Sequence, residues 1–337
     1  MKALVAALAV LVPAAAGAQT VERQASGTTA RLQAVSVVND QVVWASGARG
    51  TYVITTDGGR HWTAAVVPGA DSLEFRDVHA FDARRAVLLA AGPGDRSRLY
   101  HTTDGGAHWT LVFTNPDPAA FYDCFDFRGN TGVVVSDAVN GHFPLLRTTD
   151  GGASWQPWMP PGYQDIAAAE GEGGFAASGT CLTLDDQGRA WLGTAGQGRV
   201  IRFGADGSVA VNTPVIHGQA AGIASLAFRS ATIGLAAGGD LARATEFLDN
   251  VAVTRDGGAT WTLAGRPSFS GAVYGLAYVA SRPGTVVAVG PKGASWSADD
   301  GATWRSLDGG DYWGIGFAPN GTGWLTGPRG SILKVAF

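Results

Sequence analysis

Thr55-Thr56-Asp57-Gly58-Gly59-Arg60-His61-Trp62 decides the fold of this chain. The pattern Ser/Thr-x-Asp-x-Gly-x-x-Trp returns at 102–109, 148–155, 254–261 and 297–304. Its aspartates, Asp57, Asp104, Asp150, Asp256 and Asp299, are separated by 47, 46, 106 and 43 residues. The double gap implies a repeat without its box, and Phe203-Gly204-Ala205-Asp206-Gly207 stands where that box belongs. The chemistry is that of a hairpin turn. An Asp side chain accepts hydrogen bonds from backbone N–H groups just ahead of it. Glycine supplies the positive φ that a β-carbon resists. The tryptophans, Trp62, Trp109, Trp155, Trp261 and Trp304, then enter the next strand as large apolar plugs and are expected to be largely buried.

Working outward, a strand precedes each box. Trp44-Ala45-Ser46-Gly47 has counterparts beginning at Val87, Val133, Trp191, Leu235, Val287 and Trp324. Before these lies another set, at 34–37, 78–81, 124–127, 181–184, 225–228, 275–278 and 314–317, each ending on a large apolar residue. Each unit therefore reads as strands a and b, a Gly-rich turn, strand c, the Asp box and strand d. Four antiparallel strands repeating every 40–50 residues or so make a propeller blade. The expectation is an all-β, seven-bladed β-propeller with Asp-box c–d turns. The last blade has no fourth strand of its own, so residues 21–24 are expected to close the ring and cover both exposed edges.

Cys124 and Cys181 fall in the same column of adjacent repeats. Equivalent residues should point the same way round a ring, so two separate buried thiols are expected rather than a disulfide. No Cys/His spacing suggests a metal site, and no cofactor is expected.

The N-terminus carries Lys2, an apolar run over 3–12 and Ala16-Gly17-Ala18, the pattern of a cleaved signal peptide over 1–18. The expected organisation is that signal followed by one propeller over 19–337, a monomer in the periplasm or outside the cell. No later segment approaches a membrane span. A formal charge of −4 without Lys/Arg runs argues against nucleic acid.

In such a meander the Asp boxes share one face with the a–b turns, while the b–c turns and d-to-a links share the other. The longest extra loops, at 136–143, 156–178 and 239–250, belong to the second face and to adjacent blades. Loops longer than the fold requires are where binding usually resides. The candidate binding residues are Arg76, Asp77, Tyr122, Asp123, Asp137, His142, Glu172, Asp240, Glu246 and Arg329. Thr180, Tyr274, Tyr312, Trp313, Arg49 and Lys292 reach the same face. The Asp-box residues are read as structural.

No nucleophile elbow, zinc-protease helix, phosphate loop or dinucleotide fingerprint is present. Asp77, Asp123, Asp137, Asp240 and Glu246 are the carboxylates from which a glycoside hydrolase pair would have to come.

The boxes resemble those of sialidases, xyloglucanases and sortilin. A closer resemblance, over nearly all of 19–337, is to the photosystem II stability/assembly factor-like family of Asp-box (BNR) repeat propellers. It rests on Trp44-Ala45-Ser46-Gly47, Phe75-Arg76-Asp77-Val78, Gly174-Phe175-Ala176-Ala177-Ser178-Gly179-Thr180, Ser225-Leu226-Ala227-Phe228 and Gly327-Pro328-Arg329-Gly330. That resemblance implies a non-catalytic binding or assembly propeller, since the family assists photosystem II assembly by binding its subunits. The partner class is another protein or a glycan. Phe75-Arg76 resembles the start of the sialidase Phe-Arg-Ile-Pro motif, but Asp77-Val78 follows and no arginine triad is identifiable. A sialidase-like or glucanase-like hydrolase is the alternative.

Overall fold

A computed structural model describes residues 19–337. The signal peptide expected over 1–18 lies outside the described residues. Seven four-stranded antiparallel sheets follow one another along the chain. The inner strand of each packs on the next, and that of the last blade packs back on the first, which closes a seven-bladed propeller. The first blade runs Leu32–Val37, Val43–Gly47, Thr51–Thr55 and Thr63–Val66. The last runs Gly314–Phe317, Thr322–Thr326 and Ser331–Ala336, and Thr20–Ala25 is its outer strand. That N-terminal strand pairs antiparallel from Thr20 opposite Ala336 to Ala25 opposite Ser331, as the missing fourth strand required. Among the described residues no helix is long and apolar enough to cross a membrane.

The box turns are held by short-range hydrogen bonds. The Thr55 hydroxyl donates to Asp57 Oδ1 at 2.9 Å and accepts the Gly59 N–H at 2.9 Å. Asp57 Oδ1 also accepts the His61 N–H at 2.9 Å. The same set recurs around Asp104, Asp150, Asp256 and Asp299. Each turn also docks on its neighbour. A β-carbon on Gly106 would sit 2.5 Å from the Tyr52 hydroxyl of the preceding blade, and that hydroxyl donates to Gly106 O. Blade 4 makes the same reversal without the box, between Arg199–Gly204 and Gly207–Asn212.

Trp155 and Trp261 are buried at 7% exposure, and Trp62, Trp109 and Trp304 are partly buried and packed against the core. The plug sits at the outer end of the blade, where one edge of the indole remains at the surface. There Trp62 donates to the Gln24 side chain and Trp304 to Gly265 O. The cysteines, expected apart, form a disulfide between the inner strands of blades 3 and 4, with Cα atoms 6.1 Å apart. The two cysteines do hold equivalent register, Cys124 opposite Val135 and Cys181 hydrogen-bonded to Gly193, but neighbouring inner strands approach closely enough for a side chain of one to reach the same column of the next. Both cysteines lie in one apolar cluster between blades 3 and 4.

Neighbouring inner strands share no ladder, and side chains stitch them instead. Ser36 accepts the Ala80 N–H, Asp77 the Phe125 N–H, Asp126 the Leu184 N–H and Ser225 the Leu276 N–H, at 2.7–2.9 Å. Each bond satisfies a backbone donor that no strand reaches.

Candidate functional site at the axial mouth

Bulges shape the site. In blades 1, 2, 3 and 5 the register slips at Gln33, Arg76, Asp123 and Ala224, each the extra residue at the start of an inner strand. Thr180, Tyr274 and Trp313 stand at the corresponding starts in blades 4, 6 and 7. A bulged residue leaves the in–out alternation of its strand. These seven positions ring the axis on the face opposite the Asp boxes.

Residues 173–180, the end of the long link into blade 4, lie across this ring as a strap. Ala176 O accepts from Arg76 of blade 2 at 3.3 Å. The Gly174 N–H donates to Asp137 of blade 3 at 3.1 Å, and Ser178 donates to Tyr274 O of blade 6 at 2.6 Å. Thr180 donates to Ser225 of blade 5 at 2.8 Å. Glycine is needed at Gly173 and Gly179. A β-carbon there would lie 1.6 Å from Asp137 Oδ1 or 2.2 Å from Asp77 Oδ1.

Above the strap is a cleft of about 130 Å³ whose walls include Phe175, Ala176, Leu241, Tyr274 and Trp313, with Arg76 at its edge. Trp313 meets Tyr274 edge to face at 4.9 Å, and the Arg31 guanidinium lies 4.7 Å over the Trp313 ring. Glu74 holds both Arg31 and Arg76, at 3.0 and 2.8 Å. Below the strap a second well of about 250 Å³, which includes Asp77, His79, Asp126 and Ser178, occupies the axis. Burial pushes Asp126 up to about 6 and holds His79 down near 4.

The candidate residues separate into groups. Glu172 is buried and tied to Arg199 and the Ala169 N–H, so it anchors the link. Asp77 is a buried stitch between inner strands, and burial raises its carboxyl well above the usual range. Asp123 and Asp137 interact beneath Gly173 and Gly174. Burial, then the Asp137 charge, raises Asp123 strongly, and burial pushes Asp137 up to about 6. Glu246 is exposed and paired with Arg243, and Asp240 caps the Ala242 N–H. Tyr122 and His142 lie away from the axis, beside Tyr163 in a groove between the insertions of blade 3.

Arg329 joins a different arrangement. Arg49, Lys292 and Arg329 occupy the b–c turns of blades 1, 6 and 7, and all are exposed. None makes an ion pair among the described residues. Arg49 and Arg329 hold φ of 59° and 54°, a left-handed conformation that favours glycine. A long cation kept at such a position suggests that its charge matters there. The arc and the cleft share one face, so an apolar seat and exposed cations, with Asp311 near two of them, lie on the same side of the ring. The sequence places Arg49, Lys292, Trp313 and Tyr274 on this face and Leu241 and residues 173–178 within its long loops, but it does not show that 173–180 cross the axis or that Gln33 reaches it. The glycines at 171, 173, 174 and 179 were the available signal for a segment pressed against other backbone.

The fold and site together define a seven-bladed propeller with a strapped axis. No family model matches the chain, and no curated protein matches its sequence. Solved structures do. YCF48 bound to a D1 peptide is 18% identical over 95% of this chain and 97% of that one, with TM-score 0.65. YCF48 from Cyanidioschyzon merolae is 17% identical over 93% and 98%, with TM-score 0.64. Virginiamycin B lyase from Staphylococcus aureus is 12% identical over 95% and 100%, with TM-score 0.68. At these identities the likeness is one of fold.

Proposed function

We propose that this chain is an exported, non-catalytic binding propeller that takes a segment of another protein at the axial mouth. The observation that carries the reading is the apolar cleft of Trp313, Tyr274, Phe175 and Leu241 on the face whose b–c turns carry Arg49, Lys292 and Arg329, none in a salt bridge among the described residues, with Asp311 close to the last two. A segment with an apolar anchor and nearby carboxylates complements both. Export rests on the signal pattern over 1–18, and a disulfide suits an oxidising compartment. YCF48, a propeller of the same fold, has been solved with a D1 peptide bound. By analogy, and with the repeat resemblance, an assembly role on a partner protein is the reading offered here.

The hydrolase alternative needs two carboxylates about 5–9.5 Å apart across an open groove. Asp123, buried, and Asp137, half-buried, instead interact with each other beneath the strap. This favours binding over hydrolysis.

Affinity purification from the native host, with wild type and the Arg49→Glu/Lys292→Glu/Arg329→Glu triple variant in parallel, tests the reading. Wild type is expected to retain a partner that the triple variant and Trp313→Ala lose, and retention is expected to weaken with salt. A partner held equally by all three, or turnover of a glycan substrate panel, overturns it.

A further inference from the structure

A second site lies away from the axis and is independent of the reading above. The two longest insertions of blade 3 enclose a groove of about 400 Å³, within the range of about 300–1,000 Å³ usual for small-molecule pockets. One wall is Phe113 and Tyr122, meeting edge to face at 5.5 Å. The other is His142, Trp158 and Tyr163, all from the insertions. The rings of His142 and Tyr163 lie 5.8 Å apart at 33°. The Tyr163 hydroxyl donates to Phe143 O at 2.7 Å, and Arg147 lies 5.6 Å over Trp158, so this wall is fixed in place. Met159, 71% exposed, lies over the mouth. Methionine is well suited to such a place because its unbranched thioether adapts to the shape beneath it.

The polar groups narrow the occupant. Tyr122 is 5% exposed and lines the groove, and its hydroxyl, which makes no hydrogen bond among the described residues, is open to the groove. His142 Nδ1, on the facing wall, is buried without a partner. Burial pushes the Tyr122 phenol up to about 12, so it stays neutral and able to donate. Asp117 beside it opposes an anionic ligand. Facing aromatic walls, with the open Tyr122 hydroxyl on one and the unpartnered His142 Nδ1 on the other, match a flat, neutral ring system carrying a hydroxyl or carbonyl.

We propose that this groove binds a neutral aromatic small molecule with one hydroxyl or carbonyl, which stacks against Trp158 and hydrogen-bonds to the Tyr122 hydroxyl. The two loops that build it carry an ordering cost that the propeller ring itself does not require.

Equilibrium dialysis of the whole protein with 2-naphthol tests this. Saturable binding at one site is expected. Trp158→Ala, which truncates a half-buried wall residue, is expected to weaken it at least about tenfold. Tyr122→Phe, which removes only the hydroxyl, is expected to weaken it about three- to tenfold, the worth of one hydrogen bond. Trp313→Ala at the axial cleft should leave it unchanged, and thermal melts confirm that each variant is folded. Non-saturable uptake, equal binding by Trp158→Ala and Tyr122→Phe, or capture of a proline-rich peptide in place of 2-naphthol overturns the proposal.

Discussion

Asp123 and Asp137 show how placement reverses the chemistry of one side chain. In the box turns a carboxylate accepts backbone N–H groups at the surface and is held below its ordinary value, as Asp104, Asp150 and Asp256 are, near 2. Under the strap the same group is buried beside another carboxyl and raised. The consequences for stability have opposite signs. The box carboxylates favour the fold above about pH 4 and lose that contribution as pH falls. The buried pair favours the fold below the unfolded value of 3.8, and its contribution is lost as pH rises through about 6. With each pH unit worth about 1.4 kcal/mol, and some exposure at Asp137, the loss is about 2 kcal/mol. Asp137→Asn is therefore expected to flatten the fall in stability between pH 4 and 6.5 and to leave the protein more stable at pH 7. Urea unfolding across that range measures it. Parallel wild-type and variant curves would show that the pair is not strained at neutral pH.

The strap is the element on which both halves of the axis depend. Phe175, Ala176 and Ala177 face one well, and Ser178, Gly179 and Thr180 the other. The disulfide fastens it at its exit, since Cys181 follows Thr180 directly and a β-carbon on Gly174 would lie 3.0 Å from Cys181 Sγ. The covalent loop spans a sequence separation of 57 and takes in both insertions of blade 3. On a chain-entropy estimate, closing a loop of that length is worth roughly 4 kcal/mol. Cys181→Ser is expected to lower the melting temperature under oxidising conditions to that of the reduced wild type. Identical melting of the variant and the oxidised wild type would mean that the bridge carries no stability. The bulges that direct this element were not legible from the sequence. Arg76 and Asp123 read as ordinary strand starts, and nothing local marks them as the extra residue.

At the scale of the ring, closure depends on the first strand. Thr20–Ala25 covers the edge that Ser331–Ala336 would otherwise expose, and the Gln24 side chain accepts from Trp62 of blade 1 and Trp324 of blade 7. Residues at opposite ends of the chain are thus joined in one blade. Deleting residues 19–26 is expected to lower the melting temperature sharply and to raise the tendency to associate through the open edge. Calorimetry and light scattering measure both. An unchanged melting temperature would show that the ring is held without its closing strand.

The sequence alone determined the blade. Its turn chemistry acts within four residues, from Thr55 to Gly59 and from Asp57 to His61, so five copies marked the turns, and the seven recurring strand pairs around them counted the blades and required a closing strand. Only the tertiary structure decided the site. Arg76, Asp137, Tyr274 and Ala176 come from separate blades and a link, and they meet because the closed ring brings strand starts and turns of different blades to one axis that the link crosses. The same geometry paired Cys124 with Cys181 across one alignment column. A hydrogen bond across four residues is written in the order of the chain, whereas a contact across the axis depends on every blade between its partners.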